Sequence, residues 1–150
     1  VVAELEAPCT PEALFAEVED LGGYPEWLNI VSRAVADTDG GVGDEPAWIV
    51  DLRGRLGPLA RSKRLRMVRT VSDRPTPVRF ERRETHGRSS SPWVLDAHVE
   101  PTSEGSRLAM HLHYGGSFGA GLLERMLTDE IERSRGRLRA RVAVAPDPPH

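Results

Sequence analysis

At 150 residues, the chain is long enough for one domain to bury a real core. Its 20 basic against 23 acidic side chains, net charge -3, argue against a nucleic-acid partner, which calls for a basic face. The one cysteine, Cys9, excludes an internal disulfide and a cysteine-rich metal site. No apolar run approaches the roughly 20 residues that span a bilayer. No basic segment followed by an apolar run stands at the start, so neither membrane insertion nor a secretory signal is expected, and the cytoplasm is the default. Every basic residue but Lys63 is arginine, and with abundant Ala, Gly and Pro this reads as the coding bias of a GC-rich genome.

Val2 to Glu6 alternates apolar and polar residues, the period of a half-buried strand. Thr10 then stands as an N-cap and Pro11 at the first helical position, where a missing N–H costs nothing. Leu14, Phe15, Val18 and Leu21 follow at helical spacing, with Gly22-Gly23 as the expected stop. Pro25 opens a second short helical turn carrying Trp27, Leu28 and Val31.

After residue 32 the period changes. Residues 33–37, 47–55, 61–71, 78–85, 92–100 and 107–114 read as six strands. Their separators carry turn chemistry: Asp39-Gly40-Gly41, Gly57-Pro58, Asp73-Arg74-Pro75, His86-Gly87 and Ser103-Glu104-Gly105. Such short links imply an antiparallel meander. From about Gly119 the period returns to 3.6, with Leu122, Leu123, Met126, Leu127, Ile131, Ser134 and Leu138 on one stripe. Acids dominate the early turns of this helix and arginines the late ones, which complements its dipole. The pattern predicts an α+β domain over 1–141, with the Pro-rich segment 142–150 as a disordered tail.

A strand ending in Ala7-Pro8, an acidic helix leading through Asp20 into Tyr24-Pro25-Glu26-Trp27, six antiparallel strands and a long C-terminal helix resemble the START-like helix-grip superfamily. The resemblance covers Val2 to about Ala140 and is narrower with the polyketide cyclase/dehydrase and lipid-transport branch. It implies a helix-grip fold in which about seven strands wrap the long helix, with two short helices after the first strand. It also implies a ligand cavity between sheet and helix. Cyclases of this branch place a Ser-x-Arg pair on a middle strand, pointing into the cavity, and Ser62-Lys63-Arg64 matches that pattern in position.

The alternation around Arg64 points the other way. Leu65 and Met67 lie on the strand face opposite Ser62, Arg64 and Arg66, so burying the apolar pair turns Arg64 to solvent. An inward Arg64 would need a partner, Glu81, Glu84 or the ligand itself, because an unpaired buried charge is costly. Trp48, Val50 and Leu52, like Trp93, Leu95, Ala97 and Val99, alternate as core-facing sets. His111 and His113, with His98 on the preceding strand, have metal-ligand spacing but share a polar face, so no metal is expected. There is no Gly-x-Ser-x-Gly elbow and no phosphate loop, and Cys9 reads as a structural thiol.

These readings combine into a binder or carrier of a small hydrophobic ligand, lipid-like or polycyclic, without a cofactor. The expected wall is Trp27, Met67, Phe80, Trp93, Met110, Leu112, Tyr114, Phe118, Leu122, Leu123 and Met126, with Tyr114 and Arg64 as the groups that orient a carbonyl or hydroxyl. Two rivals stand beside it. The first is a polyketide aromatase/cyclase or dehydrase, in which Arg64 or Tyr114 would be the catalytic candidates. The second is a module that takes a protein partner.

Overall fold

The computed structural model describes residues 2–38, 45–56, 58–84, 91–114 and 120–143, without the side chains of 55, 56, 59, 61, 120–124, 126, 127 and 143. Strand β1 (Val2–Ala7) buries Leu5 and Ala7 while Val2, Glu4 and Glu6 face out. Helix α1 (Pro11–Val18) starts where the sequence places it: the Ala13 N–H donates to Thr10 Oγ1 at 3.2 Å, and Pro11 opens the first turn. Its buried stripe is Leu14, Phe15 and Val18.

Three expectations about the next turn are corrected. Helix α1 stops at Val18, before the glycines, with Glu19 as its C-cap. Leu21–Glu26 is a 3₁₀ helix that runs through Gly22-Gly23 and contains Pro25, and Trp27 caps its end. Asp20 explains the restart, since its carboxylate accepts from the Gly22 N–H at 2.8 Å and so supplies an N-cap that α1 would have overrun. Val31, expected in that turn, begins β2.

The strands are β2 (Val31–Ala36), β3 (Ala47–Leu56), β4 (Leu59–Ser72), β5 (Val78–Arg82), β6 (Trp93–Thr102) and β7 (Gly105–Tyr114). All pairs are antiparallel, and the order β1-β7-β6-β5-β4-β3-β2 means that β2 to β7 form the meander while β1 adds beside β7. Register settles the two faces. Trp48 pairs with Met67 and Val50 with Leu65 on the inner side; Asp51 pairs with Arg64 and Arg53 with Ser62 on the outer side. Helix α2 (Ala120–Ala143) is 24 residues, about 36 Å. It runs to Ala143, past the boundary expected for the tail, and 144–150 lie outside the described residues. Sheet and long helix form the helix-grip architecture.

Arginines fix the last turns of α2 to the rest of the molecule, beyond any dipole effect. Arg137 Nε donates to the Trp27 carbonyl at 3.2 Å and Arg139 Nε to the Glu6 carbonyl at 3.2 Å. Arg141 Nε meets Glu17 at 3.0 Å, and its other end reaches Glu26. Helix α2 is thereby held to β1, α1 and the 3₁₀ helix while Ser134, Leu138 and Val142 point inward and are buried.

Candidate functional site: an apolar cavity between sheet and helix

A cavity of about 130 Å³ lies between the concave face of the sheet and α2. The sheet supplies Leu5 from β1, Val50 and Leu52 from β3, Leu65 and Met67 from β4, Trp93 and Leu95 from β6, and Leu108, Met110 and Leu112 from β7. Each comes from the inward set of its strand, which is why residues far apart in sequence share one wall. Leu21, Tyr24, Trp27, Leu28, Ile30 and Val31 close one side, and Ile131, Ser134, Arg135 and Leu138 of α2 cover it. Polar atoms contribute almost nothing to its surface.

Of the expected wall residues, Trp27, Met67, Trp93, Met110 and Leu112 line this cavity. Phe80 does not, and its expectation is corrected: it is fully buried, packed edge-on against Trp48 at 5.7 Å and Tyr24 at 6.3 Å. Its alternation is right, but its strand passes where the tyrosine fills the space above it. Tyr114 also stands outside the lining, with its ring tilted against Trp93 at 5.6 Å. Phe118 and the side chains of Leu122, Leu123 and Met126 lie outside the described residues. Sequence reading missed Tyr24, Ile30, Leu65, Leu108 and Leu138 as wall residues. Periodicity marks such positions as inward but cannot separate those that fill the core from those that border a gap.

Arg64 points away. Its side chain is 70% exposed, and Nε lies 2.7 Å from Asp51 Oδ1. That hydrogen bond holds the Asp51 carboxyl below its ordinary range. Arg64 thus takes the outward position that the alternation of Leu65 and Met67 predicts, and it is not among the residues that line the cavity. Neither Glu81 nor Glu84 pairs with Arg64; Glu81 accepts from Thr70 at 2.7 Å and Glu84 from Arg82 at 2.8 Å.

The titratable groups near the cavity are few. Arg135 and Glu4 are the charged residues along its lining, Glu4 from an exposed, outward position of β1 between Ala3 and Leu5. The Tyr24 hydroxyl donates to the Val18 carbonyl at 2.8 Å, and burial, with the charge of Asp20 behind it, pushes its pKa far up. A phenol so held keeps its proton, which it gives to the backbone carbonyl. Burial also raises the Cys9 thiol, which makes it a poor nucleophile. His111 and His113 stack with ring centroids 3.9 Å apart on the outer face. Among the described residues no group of three His, Cys, Asp or Glu is placed to hold a metal, and no helix is long and apolar enough to cross a membrane.

The model of the polyketide cyclase / dehydrase and lipid transport family matches residues 1–143. The chain belongs to that family. No curated protein sequence matches it. Among solved structures, it is similar over 98% of its length to 99% of a Thermus thermophilus protein, with a TM-score of 0.75 and 19% identity. It is also similar to the di-domain ARO/CYC StfQ from the steffimycin biosynthetic pathway, with a TM-score of 0.69 at 14% identity over 96% of this chain and 50% of that one. A START superfamily protein from Mycobacterium smegmatis gives a TM-score of 0.65 at 12% identity, over 96% and 97% of the two chains. At these identities the likeness speaks for the fold alone.

Proposed function

We propose that this family member binds and carries a small apolar molecule in the cavity beneath α2, without changing it chemically. The observation that supports this reading is the wall itself, built from aliphatic side chains, methionines and two indoles, with almost no polar surface. Burial of apolar area is then the main attraction, at roughly 25 cal/mol per Å². The methionines, Met67 and Met110, adapt to more than one ligand shape. Cyclisation by enolisation and water loss asks for a group that moves a proton within reach of the substrate. Among the described lining residues the groups that could carry a proton are Glu4, Tyr24 and Arg135; Glu4 stands at an outward position of β1, and the Tyr24 phenol is committed to a backbone carbonyl. A protein-partner role has little apolar surface to use: the exposed large apolar residues among those described are Val2, Val35 and Val71, on three separate strands.

Titration with N-phenyl-1-naphthylamine tests the proposal. Saturable one-to-one enhancement of its fluorescence is expected in the unaltered protein. In Leu112→Trp, which fills the cavity from β7, the enhancement should vanish while the far-UV circular dichroism stays the same. Equal affinity in Leu112→Trp would move the site elsewhere and end the proposal.

A further inference from the structure

Four fully buried side-chain polar atoms among the described residues have no hydrogen-bond partner: Trp27 Nε1, Trp93 Nε1, Arg135 Nε and Glu130 Oε2. Three of the four belong to residues that line the cavity, and those three are all donors. Buried indole N–H groups ordinarily find an acceptor, and an unpaired one in a native fold calls for an explanation. Both indole side chains sit in residues only 4% exposed, so bulk water does not supply it. Neither nearby hydroxyl takes an indole proton, and both give their own to backbone carbonyls. Tyr24 donates to Val18 O at 2.8 Å, and Ser134 donates to Glu130 O at 2.6 Å. Arg135 meets Glu132 at 3.6 Å through its terminal nitrogen, and its Nε has no partner.

Resting on the apolar-ligand reading above, we propose that the ligand carries hydrogen-bond acceptors, carbonyl or ether oxygens on an apolar skeleton, and that Trp27 and Trp93 donate to them. The wall is apolar at its present surface, so each indole brings its N–H edge to the ligand by a turn of the ring. The unpaired groups of the lining residues are donors, so an acceptor on the ligand gains a partner that the proton of a ligand hydroxyl or amine does not gain from them. Selectivity then follows from hydrogen-bond type as well as from area.

Fluorene and 9-fluorenone share one tricyclic skeleton and differ by a carbonyl oxygen. An apolar wall acting alone favours fluorene, the more hydrophobic of the two. The proposal reverses the order: 9-fluorenone binds about tenfold tighter, from one or two hydrogen bonds formed out of water. Replacing both Trp27 and Trp93 by β-(3-benzothienyl)alanine, which exchanges N–H for sulfur and keeps the shape, should erase that preference while fluorene affinity holds. The chain has three tryptophans, so a ¹⁵N-indole spectrum reads each one. 9-Fluorenone should move the Trp27 and Trp93 N–H protons downfield and leave Trp48 in place. Fluorene binding at least as tightly as 9-fluorenone, or a ketone preference that survives the double replacement, overturns the proposal and leaves the apolar-ligand reading standing. Failure of both compounds to bind overturns that reading, and this one with it.

Discussion

Arg64 and Asp51 face each other across β4 and β3 on the outer side of the sheet, Nε 2.7 Å from Oδ1 and the second nitrogen 3.3 Å from Oδ2. This pairing decides between two readings of Ser62-Lys63-Arg64, since the alternation that buries Leu65 and Met67 sends Arg64 outward. Arg64→Gln should therefore leave probe binding unchanged and shift the melting temperature little, because exposed ion pairs contribute little. The Asp51 carboxyl, now held low by Arg64, should titrate at a higher pH in the variant. Carbon-detected NMR titration reads that shift. Loss of probe binding in Arg64→Gln would return the arginine to the site.

Much of this arrangement is legible from period alone. A period of two places Trp48, Val50, Trp93 and Ala97 inward, and the 3.6 stripe places Ser134 and Leu138 inward; all of these are buried. Thr10 and Pro11 mark the start of α1 correctly because a cap is a local device, decided by neighbours in sequence. The 3₁₀ helix through Gly22-Gly23 was not legible, since two adjacent glycines read as a stop and the compensating Asp20 cap is one hydrogen bond among many candidates. Nor could sequence show that Phe80 packs under Tyr24 while Met67 meets open space, because both are apolar and inward. The difference depends on what crosses above each strand, a tertiary fact.

That distinction between core and wall has a measurable consequence. Phe80 is fully buried between two aromatic rings, so Phe80→Ala should cost about 3–5 kcal/mol, the transfer of the ring plus a new void. Met110 is half-buried and already borders the cavity, so Met110→Ala creates little new void and should cost about half of that or less. Urea unfolding of the two variants gives the comparison. Equal losses would mean that the space beside Met110 is closed in solution.

His111 titrates below the ordinary imidazole value of 6.5, from desolvation first and from the neighbouring His113 second. The folded value lies under the unfolded one, so between the two the unfolded chain binds the extra proton. Stability therefore rises with pH across that window and falls as the pH drops from about 6.5 toward the folded value. His113→Asn removes the repulsion and should raise the His111 midpoint. Proton NMR of the imidazoles checks both the direction and the effect of the variant. A midpoint above 6.5 in the unaltered protein would contradict the assignment.

Of the glycines with described surroundings, Gly105, at the turn between β6 and β7, leaves the least room for a side chain. Gly105 has φ of 153°, and a Cβ there would lie 2.2 Å from the Ala7 carbonyl oxygen and 2.9 Å from Pro8 Cα. Glycine fits because it tolerates the dihedral and lets the turn press against the end of β1. The next residue completes the contact, as buried Ser106 donates to the Cys9 carbonyl at 2.7 Å. Gly105→Ala should thus cost about 2 kcal/mol or more, since the opposing atoms are backbone and cannot swing aside. The same substitution at Gly136, where an added Cβ meets nothing within 4 Å on α2, should stabilise by about 0.5–1 kcal/mol through helix propensity. Thermal unfolding of the pair makes an internal control, with opposite signs expected for one identical chemical change. A neutral Gly105→Ala would mean that β1 does not sit against this turn, and the order that places β1 beside β7 would have to be redrawn.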